Sequence, residues 1–367
     1  MEVGQRRIQP MDLEIQRIEE RQPISVKVYF LDGTFRTLLV TSQTRAQQVI
    51  ASLSMALRLN HGESFGLFEM EEPRPGWEKR VYAKRDLMDR QAKIDDLQHM
   101  PYDRELETNE RIMDVYSSWT RSSKKKQRRI RFVFKCKLHS KAQENSYTRN
   151  GWKIAFLTVV WHVIHGMYPL EEADACNLGA LQLQAQHGPQ ESSFYVPGVI
   201  QDVIERYVPY TMLEQYNASQ CEAKILSKHG MFKHVDKQDA YRKYIEYLRK
   251  SNASVYFGCA YFRCVRVSRL KKQNTNEQID LLLGISENGV IFVHPTTLAI
   301  IERYKMEEIL TYGFRSNAFL FVAGTLMTQR KYQFATMLGK QMNDLLRAHI
   351  DLRVQQAEVQ GFSVQQQ

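Results

Sequence analysis

The apolar residues of this chain fall into three successive spacing regimes. A period that switches from two to 3.6 and back again demands separately packed layers within one polypeptide. From Pro23 the period is two, with Ile24, Val26, Val28 and Phe30 on one side. Between Trp152 and Lys250 it is helical, and at Asn252 the alternation returns. A chain of 367 residues exceeds one ordinary core, so two or three domains are expected.

In the first regime, Asp32-Gly33 lies between two strand-like runs, and Gly accepts the positive φ that a tight hairpin needs. Thr44 with Gln47 reads as a capping box, followed by the stripe Ala46, Val49, Ile50, Leu53 and Leu57. Strands are expected at Phe65 to Met70 and Trp77 to Tyr82, with Leu106 to Trp119 closing a ubiquitin-like roll. Residues 1–22 are charged, and Met11, Ile15 and Ile18 fit either a short helix or the end of a linker.

The second regime opens with Trp152 to His165, apolar on most faces and therefore read as the buried centre of a bundle. A helix over 171–187 follows, with Ala175, Leu178, Leu181 and Ala185 as an amphipathic stripe. Glu171, Glu172 and Asp174 sit at its positive end, and Gly188-Pro189 stops it. Further helices are expected at Val199 to Tyr207, Met212 to His229 and Gln238 to Lys250. The third regime holds seven strand candidates: Val255 to Val267, Ile279 to Gly284, Val290 to Val293, Leu298 to Tyr304, Ile309 to Phe314, Phe319 to Ala323 and Tyr332 to Thr336. A helix striped by Leu338, Met342, Leu345, Leu346 and Ile350 closes it, which is the layout of a pleckstrin-homology or phosphotyrosine-binding barrel. The Gln-rich end from Gln355 is expected to be disordered.

Several strings carry a family resemblance. Gly166 to Pro189, with its run Ala-Leu-Gln-Leu-Gln-Ala-Gln-His-Gly-Pro, resembles the helical middle lobe of FERM domains. Val28 to Val40 is similar to that family's first hairpin, and Tyr102 to Val115 to the segment ending its first lobe. Tyr241 to Leu248 with Val255 to Phe262 resembles the junction of its second and third lobes. Gln184-Ala-Gln-His-Gly-Pro189 and Ile204-Glu-Arg-Tyr-Val-Pro209 look closer to talin and motor-tail members. Ile309-Leu-Thr-Tyr-Gly-Phe314 and Ala348-His-Ile350 are similar to the FERM modules of unconventional myosins and kinesin-like proteins. The resemblance implies an α+β cloverleaf. A linker (1–22) would precede a ubiquitin-like lobe (23–120) and an acyl-CoA-binding-protein-like helical lobe that begins with a basic strip (121–251). A PH/PTB-like lobe (252–353) and a disordered tail (354–367) would follow.

Charge locates one candidate site. The net charge is +10, and Arg121 to Lys141 holds ten Lys or Arg and no acid, leaving 41 basic against 41 acidic residues elsewhere. Arg121, Lys124, Lys125, Lys126, Arg128, Arg129 and Arg131 could hold anionic lipid or an acidic partner, each contributing about 1 kcal/mol at an anionic surface. The competing reading is a solvated loop leading into a core strand, Ile130 to Leu138. The resemblance implies a second site, a groove that adds an extended peptide to a strand edge beside the C-terminal helix. It would be formed by Ile309, Leu310, Thr311, Tyr312 and Gly313 with Met342, Leu345 and His349. The competing reading has these side chains simply packing the barrel.

Other chemistry finds little support in the pattern. His162 and His165 have metal-compatible spacing but no third ligand in view, so no metal is expected. No phosphate loop, nucleophile elbow or Cys/His signature occurs, so neither an enzyme nor a cofactor is expected. Five irregularly spaced cysteines fit reduced cytosolic thiols, no transmembrane segment is read, and nucleic acid is not an expected partner. The resemblance implies a cytoplasmic, cytoskeleton-associated adaptor that binds tails of membrane or cargo proteins, with a filament or motor in cis. Two alternatives stay open: a peripheral phosphoinositide-binding module, and the targeting region of a larger FERM-bearing phosphatase or kinase.

Overall fold

The computed structural model describes residues 8–71, 103–126, 130–188, 198–269, 276–325 and 327–364. The chain divides into two compact units, the first running to Lys137 and including Ser146–Trp161, the second comprising Leu138–Asn145 and the chain from His162.

The first unit begins with helix α1 (Asp12–Glu19). Its apolar residues Leu13, Ile15 and Ile18 are exposed while Glu14 is buried, the reverse of the expected stripe. Strands β1 (Ile24–Tyr29) and β2 (Phe35–Val40) form the Asp32-Gly33 hairpin in unbroken antiparallel register, from Ile24 opposite Val40 to Tyr29 opposite Phe35. Gly33 has φ +81° as the turn requires, and Asp32 Oδ1 accepts the Thr34 N–H at 3.0 Å. Helix α2 (Ala46–Ala56) starts one residue later than its capping box was placed. The Thr44 hydroxyl instead accepts the Thr41 N–H (2.9 Å), so Gln48 takes over, accepting the Arg45 N–H (2.8 Å).

Strands β3 (Phe65–Glu71) and β4 (Asp103–Glu105), helix α3 (Ile112–Lys126) and strand β5 (Ile130–Cys136) complete the sheet, in the order β2-β1-β5-β3-β4. β5 lies between β1, to which it is parallel, and β3. The first sheet therefore continues past residue 120, where the expected lobe boundary fell, because a strand from far along the chain fills its centre. Glu69 fastens α3 to the sheet by accepting from Trp119 Nε1 (2.7 Å) and Arg104 Nε (2.6 Å). The expected strand Trp77 to Tyr82 lies outside the described residues. Helix α4 (Arg149–Ile164) follows, and the division between units falls within it.

In the second unit, helix α5 (Glu172–His187) ends at Gly188, with φ +83°. The expected amphipathic stripe is corrected here, since residues Leu178 to Ala185 are buried on every side. Its two buried glutamines donate at long range. Gln182 donates to the Arg206 carbonyl (2.5 Å), while Gln184 donates to the Val235 carbonyl and pairs with His229 (2.7 Å). Leaving either group unpaired would cost about 1–3 kcal/mol. Gly179 lets neighbours close in, since a Cβ there would stand 3.0 Å from the Tyr207 carbonyl and from Ile225.

The expected helix over Val199 to Tyr207 is a 3-10 segment, Gln201–Arg206, with Val203 off helical geometry. The expected helix from Met212 to His229 is interrupted, and α6 runs Ala218–His229. Asn217 caps it in a reciprocal box with Gln220, with bonds of 2.9 and 3.0 Å. Helix α7 (Lys237–Lys250) buries Ala240, Tyr244, Ile245 and Leu248.

Seven antiparallel strands follow: β6 (Ala260–Arg269), β7 (Asn276–Ser286), β8 (Gly289–Val293), β9 (Ile300–Lys305), β10 (Ile309–Arg315), β11 (Ala318–Gly324) and β12 (Gln329–Ala335). Their order is β10-β11-β12-β6-β7-β8-β9, around a core that includes Phe292, Phe319, Phe321 and Phe334. Helix α8 spans Gly339–Val364 and covers that core with Met342, Leu345 and Leu346. The tail expected to be disordered from 354 is thus helical as far as Val364. Glutamine is a good helix former, and Gln356 is tied to Ser140 at 3.0 Å.

Candidate functional site

Strand β10 ends the second sheet. Among the described residues it pairs only with β11, so one row of its backbone N–H and C=O groups is unpaired. Its register slips between Ile309 and Thr311, a bulge that sets Leu310 outward. Leu310 is 38% exposed and Phe314 44%. Beside them, Gly313 faces open space, with no atom within 4 Å of where a Cβ would sit. The start of α8 rests on the β10–β11 hairpin, because a Cβ on Gly339 would meet the Ala318 carbonyl at 2.7 Å and Phe314 Cβ at 3.3 Å.

The structure sorts the expected groove residues into floor and rim. Met342, Leu345 and His349 are buried and pack the core, with Ile309 and Tyr312 against it. Leu310, Thr311 and Gly313 remain accessible, joined by Phe314 at the end of the expected Ile309 to Phe314 strand. The α8 side of the rim is charged and self-paired, through Lys340–Asp344 at 3.0 Å and Arg347–Asp351 at 3.8 Å. Arg353 is paired with Glu307, next to β10. Burial, and then the nearby Asp351 carboxylate, push the Tyr312 phenol up against the opposing effect of Arg347. Burial lowers His349 to about 4, helped by neighbouring His139, so it is a neutral core imidazole at pH 7.

Of the basic strip, Arg121, Lys124, Lys125 and Lys126 fall on the last turns of α3, so this part is helix where the competing reading had a loop. A helix C-terminus carries partial negative charge and favours cations there. Arg128 and Arg129 lie outside the described residues. Arg131 is the second residue of β5, with its guanidinium 5.0 Å from the centre of the Tyr29 ring.

All five cysteines are buried and unbridged, and burial pushes the Cys259 and Cys264 thiols to about 12, which removes them as nucleophiles at neutral pH. Among the described residues no group of three or more His, Cys, Asp or Glu is placed to hold a metal ion. His162 instead lies 6.2 Å from the Tyr168 ring. No described helix is long and apolar enough to cross a membrane.

Comparison with known proteins agrees with this architecture. Residues 22–101 match the RA like domain, 143–262 the FERM central domain and 264–354 the PTB domain of IRS-1 type. The kinesin-like protein KIN-14I of Oryza sativa subsp. japonica is 24% identical over 366 residues, 96% of this chain and 26% of its own length. Talin-2 of Mus musculus is 20% identical over 330 residues, 89% of this chain and 13% of its own length. The chain thus spans about a quarter or less of these relatives. The human Myosin 7b C-terminal MyTH4-FERM domain, solved in complex with the harmonin-a PDZ3 domain, superposes with a TM-score of 0.62 at 19% identity. That match covers 95% of this chain and 64% of the other.

Proposed function

We propose that this chain, which has the FERM fold and a FERM central domain over residues 143–262, works as a non-catalytic adaptor that captures extended protein tails and joins them to the cytoskeleton. The observation that carries the reading is the unpaired edge of β10 beside α8, with Leu310 and Phe314 exposed along it. An incoming strand would gain main-chain hydrogen bonds there and bury those two side chains. The Myosin 7b FERM domain, solved with a PDZ domain bound, supports protein capture as the task of this fold. The cationic end of α3 would orient the module on an acidic lipid or protein surface. Similarity to a kinesin-like protein supports reading the module as part of a cytoskeletal motor.

The test uses the full chain against an array of extended peptides. Phe314→Asp and Leu310→Asp, both at exposed positions, should each weaken the best binders about tenfold or more. Unchanged binding in both would sink the reading. In the second arm, Lys124→Ala, Lys125→Ala and Lys126→Ala combined should cut affinity for phosphatidylserine vesicles by up to roughly 3 kcal/mol, less at high salt. Vesicle binding by a chain that binds no peptide would favour the peripheral-membrane alternative.

A further inference from the structure

A second strand edge is open, in the first unit, and it differs in kind from β10. β2 ends the five-stranded sheet among the described residues and pairs with β1 without a bulge over six residue pairs. In the hairpin, Phe30 N–H donates to the Thr34 carbonyl at 2.8 Å. Hydrogen-bonding direction alternates along an antiparallel strand, so Arg36, Leu38 and Val40 bond to β1. Phe35, Thr37 and Leu39 therefore direct their N–H and C=O groups to the open edge.

The same three residues share the sheet face opposite buried Val40, and there Leu39 is 69% and Phe35 46% exposed. Lys27 Nζ stands 4.5 Å from the Phe35 ring centre, and the Tyr29 ring lies 5.5 Å away. Natural edges are usually guarded by a bulge or charge. β10 has its bulge, and β9 carries exposed Arg303 and Lys305, whereas the outward-bonding residues of β2 include no charge.

The arrangement is symmetric about Thr37, with an apolar residue two places to either side. We propose that β2 pairs antiparallel with β2 of a second copy of this chain, across a two-fold axis at Thr37. Two five-stranded sheets then become one of ten. In that register Thr37 faces its own copy, and Phe35 of each protomer lies across from Leu39 of the other. Every outward N–H and C=O of the three residues finds a partner. Arg36 falls opposite Leu38, and the two Lys27 side chains are kept apart by both β2 strands, so no like charges oppose each other. Isologous pairing of this kind closes at a dimer. A bilayer is a poorer occupant, because unpaired strand backbone is not tolerated in hydrocarbon.

Sedimentation equilibrium of the full chain tests this. The mass should climb with concentration from 43.1 kDa towards twice that value. Leu39→Lys and Phe35→Glu, each at an exposed position, should weaken self-association about tenfold or more while leaving thermal unfolding unchanged. An equimolar mixture of the two variants should associate again, since one cross-strand pair becomes oppositely charged and the other stays apolar. Thr37→Pro should abolish association while keeping the fold, because it removes only an outward-pointing donor. A mass fixed at 43.1 kDa at every concentration overturns the proposal, as does a mixture that fails to reassociate. So does tighter capture of an acidic peptide by the Leu39→Lys variant in an otherwise monomeric chain, which would assign the edge to a different partner.

Discussion

Glu222 offers the sharpest test of how the helical part of the second unit is held. It lies on α6, is buried, and spends both carboxylate oxygens on one loop. Oε2 accepts the Gly198 N–H at 2.7 Å and Oε1 accepts the Ile200 N–H at 2.8 Å. Gly198 has φ +101°, so the loop reaches the carboxylate through backbone that few other residues adopt. Ile200 is thereby delivered into the cluster formed with Ile204, Tyr207, Cys221 and Ile225. A hydrogen bond to a charged group contributes about 1.5–3 kcal/mol. Glu222→Ala removes two of them, while relieving part of the desolvation cost of a buried carboxylate. The net loss should be about 2–4 kcal/mol, with Glu222→Gln near half of it because one acceptor survives. A chain of two units need not melt in one step, so a whole-chain Tm is a poor readout. Native-state hydrogen exchange at the Ile200 amide reads the bond directly, and its protection should fall roughly thirty- to a thousandfold. A loss under about 1 kcal/mol, or Glu222→Gln indistinguishable from the parent, would refute the reasoning.

Acid should loosen the second unit: burial, aided by His187 for one and His139 for the other, lowers His229 and His349 to about 4. Their stability contribution is complete above pH 6.5 and is lost as pH falls from there towards 4, because the unfolded chain binds protons that the folded one refuses. At pH 5 that is about 2 kcal/mol per histidine, and a urea midpoint equal at pH 7 and pH 5 would contradict it. Arg249→Ala should cost about 3–5 kcal/mol in urea unfolding, since it strands buried Glu144, now held at 2.7 and 3.0 Å, and Glu287 at 3.2 Å. Adding Glu144→Gln should return part of that loss, and no recovery would argue against stranded charge as its cause. Gly289→Ala should disrupt the β8–β9 pairing, because at φ +126° a Cβ would stand 2.1 Å from the Tyr304 carbonyl. An unchanged unfolding midpoint for that variant would show that the turn relaxes freely.

How much of this could be read beforehand depends on how local the determining contact is. The seven strands of the second sheet were legible because Leu281, Leu283 and Ile285, like Phe319, Phe321 and Ala323, alternate towards one core. The α2 boundary was misplaced by one residue because Thr44 and Gln48 compete for neighbouring backbone groups, and only the folded turn decides between them. α5 was read as amphipathic because Gln182 and Gln184 look like surface residues. Their partners, Arg206, Val235 and His229, lie 24 to 51 positions away. Met342, Leu345 and His349 form the α8 stripe that faces the barrel, and spacing alone does not say how deep such a stripe sits. Strand edges are the hardest case, since an edge is defined by the neighbour it lacks. Phe35-Arg-Thr-Leu-Leu39 reads as an ordinary strand until β5 takes the far side of β1 and leaves β2 outermost. The two open edges then differ for a local reason. The bulge at Leu310 interrupts the β10 register, whereas the β2 edge is regular, and on the proposed readings the first would take a short peptide and the second its own copy.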